Sequence, residues 1–358
     1  MSKRLAPTPQ QTKAIEAPLG AVLVVAGPGA GKTFCLIGRI GYLVTQLGVS
    51  AERICAVTFT NKAAEEIASR LDDTLGAKAA AVRRGTIHAL CADVLRAHPA
   101  EAGLKPGFGI ADDDYQRTVL RQMGQSRRAA QLLQLFGRHR LQGYALTPCD
   151  AKLYSEYVRT LRRRNVVDFD DLVVLTGELF RAHPDVADAV AGQWDYLLVD
   201  EFQDVNAAQY AILRRLAERH GNFFAVGDDE QSIFSWAGAD PRVLQRFQQD
   251  YDIADAIVLD TNHRSSNQIF TVARRLVQEN PSFFKKELNA PRLSPFAVRA
   301  VAHADDDLEA DWIITDIEAD RAAHWSDNRS HPLGWGDYAV LYRRHDVDLI
   351  LHIKELLY

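Results

Sequence analysis

The chain has 358 residues, of which 47% are hydrophobic and 25% are charged, and its formal net charge is −5. This composition is typical of an enzyme with two or three domains, and it excludes binding to nucleic acid through an overall positive field. No apolar run approaches the roughly 18 residues of a membrane span, and the N-terminal segment MSKRLAPTPQ lacks the apolar region of a signal peptide. We therefore expect a cytoplasmic protein without a membrane partner.

The cysteines are too dispersed for a metal site or a disulfide framework. No C-x-x-C pair occurs, and none of the four is clustered with histidine. We expect all of them to be small, buried side chains: Cys35, Cys55, Cys91 and Cys149.

The first predicted strand, residues 21–26, leads into a glycine-rich loop and an amphipathic helix. The loop fits the pattern G-x-x-x-x-G-K-[ST], and in this context its backbone N–H groups can bind the β- and γ-phosphates of a nucleoside triphosphate. Lys32 would contact those phosphates, and the Thr33 hydroxyl would ligate Mg²⁺. The alternative is a glycine-rich turn that binds nothing. The predicted nucleotide-binding residues are Gly27, Pro28, Gly29, Ala30, Gly31, Lys32 and Thr33.

Four apolar strand patterns are each followed by a helical pattern. They cover residues 21–26, 54–59, 196–199 and 223–226. This alternation predicts an α/β fold whose parallel sheet is covered on both faces. Residues 97–191 are instead rich in helix signals and lack strong strand runs, so we predict a helical insertion between the second and third strands.

The predicted insertion carries a local excess of positive charge. Between residues 121 and 164 there are ten basic residues against Asp150 and Glu156, a net excess of eight positive charges. Two interpretations stay open: solvated helix faces, or contact with nucleic acid. If the insertion contacts nucleic acid, reversing the charges of Arg162, Arg163 and Arg164 would lower the affinity for duplex DNA.

Two further polar clusters follow apolar strands and complete a nucleotide-hydrolysis pattern. Asp200 stands where the third strand ends and is suited to hold Mg²⁺, while Glu201 can orient and deprotonate a water molecule. After the fourth strand comes GDDEQS, in which Gln231 can bond both the γ-phosphate and that water. The alternative for the Asp200-Glu201 pair, taken alone, is a solvated loop.

A second α/β segment is predicted after residue 259. It contains helices at residues 265–279 and 306–319, strands at 296–302 and 337–342, and a helix from residue 347.

Several strings resemble the ordered motifs of the UvrD/Rep/PcrA family of superfamily 1 helicases. VTFTNKAAEEIASRL, GTIHALCADVLR, LLVDEFQDVNAAQY, AVGDDEQSIFSWAGAD and LDTNHRSSNQI are similar to motifs Ia, Ib, II, III and IV. PQQTKAI resembles the Q motif, and DYAVLYRRHDV resembles the strand after motif IV. The resemblance extends over nearly the whole chain and implies an ATP-dependent 3′-to-5′ DNA helicase of repair or replication restart.

The resemblance implies a RecA-like P-loop NTPase fold and roles for individual residues. Residues 1–96 with 192–260 would form the first RecA-like domain, 97–191 the insertion called 1B, and 261–358 part of a second RecA-like domain. Gln11 would bind adenine, Arg39 would approach the nucleotide, and Arg264 would act as an arginine finger. The implied single-strand DNA contacts are Phe59, Asn61, Thr86, His88 and Trp236. Trp236 could instead be a core residue.

The chain departs from the family pattern at three points. His263 occupies the position of a tyrosine that stacks on adenine, and Ile87 replaces a phenylalanine. No match to motifs V and VI follows Tyr342, so we expect a truncated helicase. Two alternatives stay open: an ATP- and single-strand-binding interaction module without unwinding activity, and the motor part of a helicase–nuclease complex.

Overall fold

The computed structural model describes residues 6–232, 238–280, 282–323 and 333–341. These residues fall into two compact units that divide between Pro295 and Phe296. In the described part of the chain, no helix combines the length and the apolar character needed to cross a membrane.

The first unit is built on a six-stranded sheet. Its strands lie in the order β3-β2-β6-β7-β1-β8 and all pair in parallel. They are β1 (Val22–Ala26), β2 (Ile54–Thr58), β3 (Arg83–Thr86), β6 (Tyr196–Val199), β7 (Phe223–Gly227) and β8 (Ile257–Leu259). A separate parallel pair joins β4 (Gly109–Ala111) to β5 (Val166–Asp168).

Helices precede the first strand, occupy the connections between strands and follow the last strand. They are α1 (Pro9–Ile15), α2 (Lys32–Thr45), α3 (Asn61–Leu75), α4 (Ile87–Ala97), α5 (Asp113–Gln122), α6 (Ala129–Gln142), α7 (Pro148–Arg163), α8 (Phe169–Ala182), α9 (Pro184–Ala191), α10 (Ala207–Ala217), α11 (Arg242–Asp250) and α12 (Asn267–Val277). Parallel strands need such crossovers, and helices on both faces bury the sheet.

The alternation of side chains along each strand divides the core into two layers. In β1, Val22 and Val24 face one hydrophobic cluster, whereas Leu23 and Val25 face the other. Because successive side chains of a strand point to opposite faces, a continuous apolar run is what a sheet covered on both sides requires. The predicted α/β fold with a parallel sheet is confirmed.

The predicted insertion has a small core of its own, but its last two helices pack against the main sheet's core. Phe136 and Tyr157 belong to a cluster built from α5, α6 and α7. Leu172 of α8 and Val186 of α9 instead join a main-sheet cluster. The division of the chain into domains at residues 97, 192 and 261 stays a prediction.

Three details of the sequence prediction were wrong. Residues 296–302 form no strand. Residues 337–341 form none either, because a 3₁₀ turn (Trp335–Asp337) ends at Asp337 and residues 338–341 are irregular. Residue 342 and the helix predicted from residue 347 lie outside the described residues. An apolar alternation makes a strand only where a neighbouring strand supplies its hydrogen bonds. Cys149 is exposed, whereas the other three cysteines are buried as expected.

The second unit contains α13 (Asp306–Ala322), which confirms the helix predicted from residue 306. Ala310 and Ile314 are its buried side chains. The Arg321 guanidinium lies 3.9 Å from the centre of the Trp335 ring, a cation–π contact.

Candidate functional site

The glycine-rich loop joins the carboxyl end of β1 to the first turn of α2. Gly29 and Gly31 have φ angles of 66° and 91°, the left-handed region that favours glycine. A Cβ atom on Gly29 would lie 2.7 Å from Oδ1 of Asn262, and one on Gly31 would lie 2.8 Å from Nε2 of Gln11. The loop therefore needs glycine for both its backbone conformation and its close neighbours.

The structure brings Lys32 together with the two polar clusters predicted from the sequence. Nζ of Lys32 lies 2.8 Å from Oε2 of Glu201 and 3.4 Å from Oε1 of Gln231. These residues follow β1, β6 and β7, three adjacent strands whose carboxyl ends share one edge of the sheet. A cation, a carboxylate and an amide thus converge beside the loop.

Thr33 and Asp200 form the candidate metal pair. The Thr33 hydroxyl donates a hydrogen bond of 2.9 Å to Oδ2 of Asp200, and the Glu201 amide donates one of 3.0 Å to Oδ1. Burial and then the charge of Glu201 raise the pKa of Asp200 to about 6, against the effects of Lys32 and Thr33. A hydroxyl beside a buried carboxylate next to a phosphate-binding loop fits Mg²⁺, which prefers oxygen ligands and retains several waters.

Sequence reasoning missed Gln203, which links the two polar clusters. Its amide nitrogen donates to Oε2 of Glu201 over 2.8 Å, and its amide oxygen accepts from the Asp228 backbone over 2.9 Å. Asp228 in turn accepts a hydrogen bond of 2.5 Å from Nε2 of Gln231. The only signal in the sequence was its place in the string DEFQD, two residues after Glu201.

Asp204, in the same string, is a buried carboxyl group whose surroundings disfavour its negative charge. Burial and then the Glu201 charge raise its pKa to about 7, and its Oδ1 has no hydrogen-bond partner within the described part of the chain. Its environment therefore favours the protonated carboxyl far more than water does.

The segment after β8 lies against the glycine-rich loop. The His263 backbone donates to the Gly29 carbonyl over 3.0 Å, and Arg264 is exposed beside it. Asn262, a residue missed from the sequence, accepts hydrogen bonds of 2.8 Å from the amides of Arg264 and Ser265. The side chains of His263 and Arg264 are thus carried next to the phosphate-binding loop.

Gln11 and Arg39 have different surroundings. Gln11 is buried and donates to the Ala30 carbonyl over 3.0 Å, while its side chain also forms a capping box with Thr8. Arg39 is 3% exposed and donates to the carbonyls of residues 15, 17 and 18. The contacts hold Gln11 at the loop, whereas those of Arg39 fix the turn before β1.

Two of the predicted DNA contacts line one cavity of about 510 Å³. Phe59 and His88 share it with Phe169, whose ring meets the His88 ring edge-on at 6.2 Å between centroids. Burial lowers the pKa of His88, which favours a neutral, stackable imidazole. Phe169 was missed because the string DFDDL carries no nucleic-acid signal by itself.

Asn61 and Thr86, two other predicted DNA contacts, are not among the residues that line this cavity. Asn61 is exposed at the start of α3. Thr86 is buried, and its hydroxyl caps α4 by accepting from the Ala89 amide over 3.1 Å. Trp236 lies outside the described residues.

The basic excess of the insertion is smaller than its sequence indicates. Arg140, with 4% of its side chain exposed, pairs with Asp168 and Asp171 at 2.7 and 3.0 Å. Arg162 also pairs with Asp171, at 3.0 Å. Counting charges only to residue 164 omitted these carboxylates: Arg140 is buried and thus fits neither interpretation of the basic excess, and Arg162 is already paired.

Comparisons with known proteins find similar sequences over most of the chain. The family model described as UvrD/REP helicase N-terminal domain matches residues 7–145 and 134–252. The ATP-dependent DNA helicase PcrA of Staphylococcus aureus is 31% identical over 360 residues, covering 96% of this chain and 48% of the relative. PcrA of Leuconostoc citreum is 33% identical, covering 93% of this chain and 46% of the relative. The helicase Rep of Salmonella typhimurium is also 33% identical, covering 94% and 51%. The chain thus spans about half the length of these curated relatives.

Proposed function

Because the chain belongs to the UvrD/REP helicase family, we propose that it binds and hydrolyses ATP and uses the energy to move along single-stranded DNA. By resemblance the movement is 3′ to 5′, in repair or replication restart. The observation that carries the proposal is the convergence of Lys32, Glu201 and Gln231 beside the loop, next to the Thr33–Asp200 pair.

Binding of the triphosphate begins with the loop. The amides of residues 27–33 and the N-terminus of α2 favour phosphate oxygens. In this proposal Lys32 turns from Glu201 to the γ-phosphate, which carries more negative charge than one carboxylate. Thr33 and Asp200 would hold Mg²⁺, which would neutralise phosphate charge.

Hydrolysis then uses the carboxylate that Lys32 has released. Glu201 remains hydrogen-bonded to Gln203 and can accept a proton from the attacking water. Gln231 orients that water and responds to the presence of the γ-phosphate. Arg264, exposed beside Gly29, supplies a planar cation to the transferred phosphoryl group.

Single-stranded DNA is the proposed track. The aromatic rings of Phe59 and Phe169 and the neutral His88 line one cavity, which supports stacking with bases of any sequence. Asn61 and Trp236 are proposed to contact the strand as well, and Trp236→Ala should weaken single-strand binding while sparing nucleotide binding. His263 is proposed to stack on adenine next to Gln11.

The decisive experiment measures ATP hydrolysis with and without an oligodeoxythymidylate, for the wild type and for Glu201→Gln. A motor should hydrolyse ATP faster with DNA, and the variant should lose most of that rate. Equal rates for the two proteins, with ATP and DNA still bound, would instead identify an interaction module without motor activity.

A further inference from the structure

Lys286 is a buried lysine outside the nucleotide site described above. It follows α12, and 1% of its side chain is exposed. Its Nζ atom lies 2.6 Å from Oδ1 of Asp228, 2.6 Å from Oδ1 of Asp229 and 3.2 Å from Oε2 of Glu230. An ammonium so far from water needs such partners, because burial without them strongly disfavours its charged form.

The acidic string that receives Lys286 also carries the proposed γ-phosphate sensor. The two carboxylate oxygens of Asp228 have different partners: Oδ1 accepts from Lys286, and Oδ2 accepts from Gln231 over 2.5 Å. The Asp228 backbone also donates to Gln203, which bonds Glu201. Asp228 therefore joins the buried ammonium to the sensor through its carboxylate, and to the proposed general base through its backbone N–H and Gln203.

The segment that carries Lys286, residues 282–289, also contacts the phosphate-binding loop. Leu288 packs so closely on Gly27 that a Cβ atom there would lie 2.7 Å from Cδ2 of the leucine. The Asn289 carbonyl accepts from the Asn262 amide over 2.8 Å. Residues 282–289 thus contact both the sensor string and the elements around Gly29.

We propose that Lys286 is a positioning residue for ATP hydrolysis. It fixes Asp228, and through Asp228 it sets the positions of Gln231 and Glu201 relative to Lys32. This inference rests on the proposed function and adds to it a residue that touches neither nucleotide nor DNA. Removing the ammonium should impair turnover and γ-phosphate sensing, while the affinity for the diphosphate part of the nucleotide should stay nearly unchanged.

The test compares Lys286→Met with Lys285→Met, whose lysine is 91% exposed and pairs only loosely, at 3.9 Å, with Glu287. Two quantities are measured. The first is kcat for ATP hydrolysis with saturating oligodeoxythymidylate, and the second is Kd for ADP divided by Kd for ATPγS. Lys286→Met should lower kcat about tenfold and reduce the ratio severalfold, with Kd for ADP within about threefold of wild type. Lys285→Met should match the wild type.

A double variant distinguishes positioning from general destabilisation. If Lys286 acts through Gln231, then Lys286→Met combined with Gln231→Ala should be no worse than Gln231→Ala alone. Additive losses, or equal losses of ADP affinity and kcat, would overturn the proposal. If the wild type itself shows no turnover, the proposed function fails. The nucleotide affinities then test Lys286 by themselves: a reduced ratio of Kd for ADP to Kd for ATPγS in Lys286→Met supports the positioning role, and an unchanged ratio overturns it.

If Lys286→Met fails to fold, Lys286→Met with Asp229→Asn removes one buried negative charge together with the positive one. This variant should fold and still hydrolyse ATP slowly, because Asp228 remains without its ammonium partner. Recovery of both folding and the wild-type kcat would show that Lys286 only balances charge, and the proposal would be wrong.

Discussion

Nζ of Lys32 lies 2.8 Å from Oε2 of Glu201, so the proposed phosphate-binding cation is paired with the proposed general base. Only 10% of the Lys32 side chain is exposed, against 33% for Glu201. The incoming γ-phosphate must therefore compete with a carboxylate for the lysine. The competition ties activation of the base to arrival of the substrate.

Glu201→Gln should for this reason bind ATP more tightly than the wild type while hydrolysing it far more slowly. A partly exposed ion pair is worth roughly 1 kcal/mol, which corresponds to about a fivefold lower Kd. Titration of a fluorescent ATP analogue in the absence of turnover measures this value, with the exposed Glu52→Gln as control. An unchanged or weaker affinity would mean that Glu201 does not compete for Lys32.

The raised pKa of Asp200 predicts a gain in stability when its charge is removed. Between about pH 3.8 and pH 6 the folded protein keeps a proton that the unfolded chain has lost, so Asp200 lowers stability as the pH rises through this window. Above pH 6 the cost is at most about 3 kcal/mol. Asp200→Asn should thus raise the unfolding temperature by a few degrees at pH 7.5, with little difference below pH 4, and abolish hydrolysis.

The control variant, Asp195→Asn, should change the unfolding temperature in the opposite direction. A hydrogen bond from Arg53 lowers the pKa of Asp195, so its carboxylate adds stability at neutral pH that is lost on acidification. Asp195→Asn should unfold at a slightly lower temperature than the wild type at pH 7.5. Thermal unfolding without nucleotide or metal measures both variants, and a destabilised Asp200→Asn would contradict the argument.

Gly29→Ala separates backbone strain from crowding at the phosphate-binding loop. Its φ of 66° is nearly that of Gly48, 68°, where a Cβ atom would have nothing within 4 Å. Both alanine variants should lose about 1 kcal/mol of stability from left-handed strain. Only at Gly29 would Cβ also lie 2.8 Å from Cβ of Arg264, displacing that residue. Gly29→Ala alone should therefore lower kcat and ATP affinity; equal activity in the two variants would exclude crowding.

The sheet and the loop were predictable because their information is local. An apolar run followed by GPGAGKT defines β1, the loop and the start of α2 within about 25 residues. By contrast, β3 begins with Arg83 and Arg84, and β8 has only three residues, so neither had a recognisable pattern. Their hydrogen bonds come from neighbouring strands that are distant in sequence.

The polar residues that were missed depend on contacts between distant segments. KKEL around Lys286 reads as an exposed charged turn, and only the approach of Asp228, 58 positions earlier, makes it a buried cation site. Asn262 and Gln203 likewise acquire their roles from Gly29 and Asp228. Local pattern does not specify such pairs, since partners for a buried charge are set by the assembled fold.

Arg162 and Arg163 are adjacent in sequence but should respond differently to neutralisation. Arg163 is exposed, whereas Arg162 pairs with Asp171 at 3.0 Å and donates to the Val166 carbonyl at 3.3 Å. If the insertion contacts duplex DNA, Arg163→Gln should lower affinity and reduce the slope of log K against log salt by about one. Arg162→Gln should chiefly lower the unfolding temperature, because it leaves the buried Asp171 with one partner fewer.

Fluorescence anisotropy with a labelled duplex at four salt concentrations gives both slopes, and thermal unfolding of the same proteins gives the stability terms. An unchanged slope for Arg163→Gln would identify Arg163 as a solvated surface residue and favour that interpretation of the basic excess. A reduced slope with wild-type stability would instead assign a phosphate contact to the exposed arginine. The pair thus distinguishes the two interpretations that charge counting left open, since one of the two guanidinium groups is already neutralised within the fold.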